Sequence, residues 1–185
     1  MKRHALTLCT LAALSLSPSL AFAHTSTGTG LASGLLHPLM GADHLLAMLA
    51  IGVWAALQPG QMRFAIPGAL MLALLAGFGA ALSGFALPMV EGGIALSVLL
   101  LGILITTMVR LPASAALLLT ALFALFHGFA HGHEASGSLT LFAVGFMATS
   151  AILHFGGSLA GHHLRALPIL TRSAGAAIAV SGLIF

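Results

Sequence analysis

Two short stretches of this chain concentrate its metal-ligand side chains, and the first reads HPLMGADH from His37 to His44. In a regular helix His37 and His44 would share one face, about 10 Å apart along the axis. Either Pro38 and Gly41 break the helix so that both reach one ion, or the histidines pass an ion along. Pro38 suits the first turn of a helix, with His37 as its N-cap. Asp43 points elsewhere, where it could orient an imidazole or supply an oxygen ligand.

The second stretch reads FHGFAHGHE and ends at Glu134. His127 and His131 are four residues apart, one turn along the same helix face, which is a good chelating spacing. His133 and Glu134 follow at the predicted helix end. Imidazole with some carboxylate and no thiolate suits nickel, cobalt, zinc or copper(II) better than copper(I).

The composition places these clusters in a membrane protein. Of the 185 residues, 59% are hydrophobic and 5% are charged, whereas a soluble domain carries roughly 25% charged residues. So few charges cannot solvate a globular surface, and lipid must cover most of it. The six basic residues are scattered and never form a patch, which excludes nucleic-acid binding.

Residues 1–23 read as a cleaved signal peptide, with Lys2-Arg3 before a short apolar region and a small-x-small cleavage site at Ala21–Ala23. The alternative is an uncleaved first transmembrane helix. The one cysteine, Cys9, lies in this leader, so the mature protein would have no thiolate ligand and no disulfide.

The mature chain, residues 24–185, is predicted to be one all-α, polytopic transmembrane domain of about six helices. The loops carrying Arg63, Arg110 and Arg165 would face the cytoplasm by the positive-inside rule, which agrees with a secreted N-terminus in the periplasm. The last segment is interrupted by Arg172. The predicted spans are 36–57, 64–84, 88–108, 113–131, 138–159 and 167–185.

This topology predicts that polar side chains from three helices reach one membrane face. Both histidine clusters lie at the outer end of a span, and Glu91 lies about one turn into the third. A carboxylate or other charge inside a membrane costs roughly 2.5–3.5 kcal/mol on insertion scales, so such residues indicate function. His154, deep in the fifth span, is either part of an inward ion path or a packed histidine, and His162 and His163 are predicted to be solvated loop residues.

The first stretch, extended to HPLMGADHLLAMLAIGVWA, resembles the signature of the HupE/UreJ family of bacterial nickel/cobalt permeases, and FHGFAHGHE resembles its second motif. Pro88-x-x-Glu91 followed by Ala95-x-Ser97, and Arg172-x-x-Gly175, also look like family positions. The similarity runs over essentially the whole chain. In a related class of nickel/cobalt transporters four residues separate the histidine from the Asp-His pair, whereas five do here.

The resemblance implies a secondary transporter, not an enzyme, that takes up Ni²⁺ or Co²⁺ across the bacterial inner membrane. Such uptake often supplies hydrogenase, urease or cobalamin synthesis. The metal would be substrate rather than a tightly bound cofactor, the bilayer is the other predicted partner, and a homo-oligomer is left open. The matching family positions are His37, Asp43, His44, His127, His131 and Glu134.

The hypothesis from the sequence is an outer site that strips water from a periplasmic ion, which then passes inward near His154. Four histidines would be ligands, and the acids, Glu91 included, would offset the charge. Three alternatives remain open: an intramembrane zinc hydrolase, a haem-binding subunit using His44 and His127, and a metal-binding sensor or accessory protein for hydrogenase or urease.

Overall fold

A computed structural model of the protein describes residues 30–185. This range holds helices and no strand, which confirms the all-α prediction. The predicted leader, residues 1–23, lies outside the described residues. The helices are α1 (Gly30–Met40), α2 (Ala42–Leu57), α3 (Met62–Leu82), α4 (Val90–Thr107), α5 (Ala113–His133), α6 (Leu139–Leu164) and α7 (Pro168–Ser181).

Four of these helices, α3 to α6, are long and apolar enough to cross a membrane, and each has at least 18 residues. The pair α1 and α2 meets the same test as one broken span, bent by 80°, which gives up to five. The predicted sixth span corresponds to α7, which has 14 residues. At 1.5 Å per residue α7 is about 21 Å long, shorter than the roughly 30 Å hydrocarbon core.

The first predicted span, 36–57 with Pro38 in its first turn, is wrong in its start, whereas the break near Pro38 and Gly41, one of the two alternatives from the sequence, is present. The helix begins at Gly30, and Pro38 lies near the end of α1 instead. Gly41 then adopts an extended backbone conformation and separates α1 from α2. The Gly- and Ser-containing stretch before His37 is helical because Gly30 and Gly34 pack directly on the backbone of α6.

The end of α6 is a second correction. The span was predicted to end at residue 159, with His162 and His163 in a loop, but both histidines lie in the last turn of the helix. Gly161 sits against Val53 and Ala56 of α2. This contact supports another turn of helix beyond the apolar segment.

The helices pack in close pairs, α3 with α5, α4 with α7, and α6 with both α1 and α2. Small residues allow this approach: Gly128 lies on the carbonyl of Leu74, and Gly52 lies on that of His154. Helix α2 is central and buries Trp54 completely. Leucines and isoleucines such as Ile152 are exposed on the outside, as expected of a surface that faces lipid.

The broken span runs beside α6 and determines where the first histidine cluster lies. Along α1, Gly34 meets Phe142, and along α2, Leu49 meets Gly157. The bend at Gly41 therefore lies beside the middle of α6, between these two contacts. The cluster is thus inside the bundle, whereas the sequence placed it at the outer start of the first span.

Candidate metal site

Three helices bring four imidazole rings into one row inside the bundle. His37 is on α1, His44 is on α2, and His127 and His131 are on α5. Ring centroids are 4.9 Å apart for His37 and His131, for His131 and His44, and for His44 and His127. The rings meet edge to face at each step, so the row runs His37, His131, His44, His127.

The bend at Gly41 makes this row possible. On one straight helix His37 and His44 would be about 10 Å apart along the axis, so a neighbour at 4.9 Å from both rings would have to lie directly on the line between them. The bend brings both rings against His131, which is fully buried. The predicted helical spacing of His127 and His131 holds on α5, and His127 is only 2% exposed.

Several ring nitrogens in this row have no hydrogen-bond partner among the described residues. They are Nε2 of His44, Nδ1 of His127 and both nitrogens of His131. The large majority of buried polar atoms in proteins are hydrogen-bonded, so each exception needs an explanation. Buried neutral imidazole nitrogens without partners have the chemistry of metal ligands.

Asp43 orients His44. Its Oδ1 accepts a hydrogen bond from the backbone N–H of His44 at 2.8 Å and lies 3.1 Å from Nδ1 of the same residue. An ionised carboxylate only accepts, so Nδ1 carries the proton and donates it. The lone pair of His44 is then on Nε2, the unpaired atom.

Ser97 on α4 orients His127 in the same way. Its Oγ donates to the carbonyl of Ile94 at 2.7 Å and lies 2.8 Å from Nε2 of His127. Because the single hydroxyl proton goes to Ile94, Nε2 must donate to Oγ. The lone pair of His127 is therefore on Nδ1, which has no partner among the described residues.

Glu134 marks the end of the row that opens towards the loop after α5. Its Oε2 is 2.8 Å from Nε2 of His37, and its side chain is 55% exposed. Glu134 lies just beyond α5, and the hydrogen bond with His37 lowers the pKa of its carboxyl below the ordinary value. A carboxylate is thus held at the accessible end of a row of buried imidazoles.

The rings have the spacing of a metal site without its orientation. Among residues 30–185, no group of three or more His, Cys, Asp or Glu side chains is arranged to hold an ion directly. Two imidazoles on one tetrahedral ion have centroids about 5 Å apart, given metal–nitrogen bonds of about 2.0–2.1 Å. The observed 4.9 Å matches this spacing for each neighbouring pair, so two neighbouring rings could share an ion after rotation of the rings.

Three other residues predicted from the sequence lie outside the row. Glu91 is exposed in the first turn of α4. His133 is exposed at the end of α5, with its ring 5.0 Å from that of Phe129. His154 is buried on α6, and neither ring nitrogen has a partner within the described part of the chain.

Ser97 belongs to this site but is not among the metal ligands that the sequence predicts. A hydroxyl is a poor ligand for these metals, and the Ala95-x-Ser97 pattern indicates only a resemblance to the family. The available signal was a serine within an otherwise apolar helix, VEGGIALSVLLLGILITT. A polar group there must find a partner inside the protein.

Comparison with known proteins identifies the family of the chain. A family model described as HupE / UreJ protein matches residues 12–185. Protein HupE of Rhizobium leguminosarum bv. viciae is 40% identical over 178 residues, which cover 94% of this chain and 93% of that protein. No solved structure matches the chain. The protein therefore belongs to the HupE/UreJ family.

Proposed function

We propose that the protein is a permease that takes up Ni²⁺ or Co²⁺ across the bacterial inner membrane. The observation that carries this proposal is the row of four imidazoles with unpaired nitrogens inside a bundle of membrane-spanning helices. Nickel and cobalt accept neutral imidazole ligands readily. A family resemblance alone would give the substrate class, whereas the row supplies a physical reason for it.

The row divides the path into short steps. An ion would meet Glu134 and His37 first, exchange water for imidazole at His131 and His44, and then reach His127. The carboxylates of Glu134 and Asp43 offset part of the divalent charge along this path. Because neighbouring rings are equally spaced, the ion can gain one ligand as it loses another. This exchange keeps the free-energy barrier of each step low.

The inward half of the path would use His154. This buried residue lines a cavity of about 600 Å³ between α3 and α6 at the end of the bundle opposite Glu134. The membrane potential, negative inside, contributes about 2.3 kcal/mol per charge per 100 mV, and thus about twice that for a divalent ion. With the arginine-bearing loops in the cytoplasm and the mature N-terminus in the periplasm, this field drives uptake.

The other candidate functions fit the geometry less well. A haem between His44 and His127 would need room for the porphyrin plane, but the two rings are in edge-to-face contact. A zinc hydrolase needs a carboxylate free to act as general base. Asp43 is instead committed to the backbone and ring of His44 and Glu134 to the ring of His37, while Glu91 lies outside the row.

The test is uptake of radioactive nickel and cobalt by cells that lack their own high-affinity systems. We expect accumulation with the wild-type protein and loss of it with His44→Ala at matched membrane expression. His163→Ala removes an exposed histidine at the opposite end of the bundle and should transport normally.

The outcomes separate the candidates. Metal binding by the purified protein without accumulation in cells would indicate a sensor or an accessory role in hydrogenase or urease maturation. Accumulation that is unchanged in His44→Ala would refute the role of the histidine row.

A further inference from the structure

Three arginines from three different loops line one cavity at the end of the bundle opposite Glu134. The cavity has a volume of about 610 Å³, and its lining includes Arg63, Arg110 and Arg165. They belong to the connections α2–α3, α4–α5 and α6–α7, or to the first turn that follows. A topological preference for positive loops accounts for one arginine in each loop, but it does not require all three to face one cavity.

Nothing acidic balances these charges. The chain has three acidic residues in total, and none lines this cavity: Asp43 lies in the middle of the bundle at the start of α2, whereas Glu91 at the start of α4 and Glu134 after α5 lie at the other end. Within residues 30–185 each ion pair joins a histidine to a carboxylate, and none includes an arginine. All the charged side chains that line the cavity are therefore arginines, whose guanidinium groups can donate paired hydrogen bonds to a phosphate.

An apolar groove continues from this pocket. A second cavity, of about 600 Å³, shares Arg63 and Arg165 with the first and extends between α3 and α6 along Pro67, Met71 and Leu159. Two aromatic residues of its lining, Phe64 and Phe155, are exposed by 67% and 72% on the surface that faces lipid. The arginine-lined cavity at the membrane boundary thus adjoins a largely apolar groove.

We infer that this composite cavity binds an anionic phospholipid. The phosphate is held by Arg63, Arg110 and Arg165, and one acyl chain lies at the lipid-facing edge of the groove, against the exposed Phe64 and Phe155 and not against His154, which is only 3% exposed. Basic pockets between transmembrane helices bind anionic headgroups in this manner. The groove selects a lipid over a free phosphate, because a soluble anion would use the arginines and leave the apolar slot empty. Arg63 lies 4.7 Å over the ring of Phe64, which links the two parts of the site.

The experiment is native mass spectrometry of the full-length protein in detergent, titrated with phosphatidylglycerol or with phosphatidylcholine of the same chains. We expect tighter binding of the anionic lipid by the wild-type protein. Each arginine contributes roughly a factor of five, so neutralising all three to glutamine should weaken binding about a hundredfold. Arg172→Gln is the matched control, because Arg172 lies outside both cavities and donates to the carbonyl of Thr106.

Several results would overturn the inference. Equal binding of the two lipids by the wild-type protein would do so without any variant, as would full retention of binding in the triple variant. The single variant Arg110→Gln serves in case the triple variant misfolds, and it should bind the anionic lipid about fivefold more weakly than the wild-type protein. Glycerol phosphate is the third probe, and if it competes at concentrations similar to those of the lipid, the site is for a free phosphate. None of these measurements depends on metal transport.

Discussion

Replacement of Ser97 by alanine tests whether the orientation of His127 matters for transport. In the wild-type protein the Ser97 hydroxyl accepts a hydrogen bond from Nε2 of His127 at 2.8 Å and donates one to the carbonyl of Ile94. This fixes the lone pair of His127 on Nδ1. Alanine removes the acceptor, so the ring can adopt the other tautomer or turn its protonated nitrogen into the row.

The size of the effect follows from this geometry. Loss of a hydrogen bond that orients a metal ligand typically costs 10–100-fold in metal affinity, which is about 1.4–2.7 kcal/mol. The same deletion leaves one buried N–H without a partner, a penalty of about 1–3 kcal/mol. The backbone of α4 should be unaffected, because alanine forms helix at least as well as serine.

The assay is the initial rate of nickel uptake as a function of nickel concentration. We expect Ser97→Ala to raise the half-saturating concentration by 10–100-fold, with a smaller change in the maximal rate. Ser150→Ala is the matched control, since Ser150 is equally buried and its hydroxyl has no partner among the described residues. The reasoning is refuted if Ser97→Ala keeps the wild-type curve, or if Ser150→Ala is impaired to the same degree.

Three further changes probe the break, the entrance and the packing. In Gly41→Ala the new methyl group would displace the Asp43 carboxylate, so uptake should fall at least tenfold while Gly156→Ala, whose added methyl group meets open space, transports normally. In Glu134→Gln thermal stability in detergent should fall below wild type at neutral pH. That difference should disappear as the pH drops below the ordinary glutamate value of 4.5, because the lowered pKa of the carboxyl stabilises the fold only while it is ionised. Gly128→Ala places a methyl group on the backbone of α3 and should destabilise the protein by about 1–3 kcal/mol, measured as a lower melting temperature than that of Gly156→Ala.

The sequence was sufficient for those features that depend on local spacing. The apolar segments predicted α3 to α5 and the start of α6 to within two residues, and the four-residue separation of His127 and His131 placed both on one face. The choice between a broken helix and a relay at His37 and His44 stayed open, because periodicity does not report backbone direction. The structure contains the break, at Gly41, and it also places His37 and His44 in one row on either side of His131.

The sequence could not predict the features that depend on contacts between distant helices. The helical start at Gly30 depends on α6, which begins more than a hundred positions later in the chain. The contact of Ser97 with His127 joins two helices that no local pattern connects. Glu91 and Glu134 were both predicted to offset the charge of the ion, yet of the two only Glu134 reaches a histidine among the described residues.

The distribution of charge along the bundle links the metal and lipid proposals. A divalent ion is attracted to the end that carries Glu134, but release at the other end brings it towards Arg63 and Arg165, which border the cavity of His154. Charges within about 8–10 Å of one another remain largely unscreened, so these arginines oppose release. A lipid phosphate between them would cancel that repulsion.

Removal of lipid should therefore slow transport by the wild-type protein at unchanged metal affinity. It should not slow transport by the triple glutamine variant, which has already lost both the lipid and the positive charge. Equal slowing of the two would show that the lipid acts on the fold rather than on the charge at the exit.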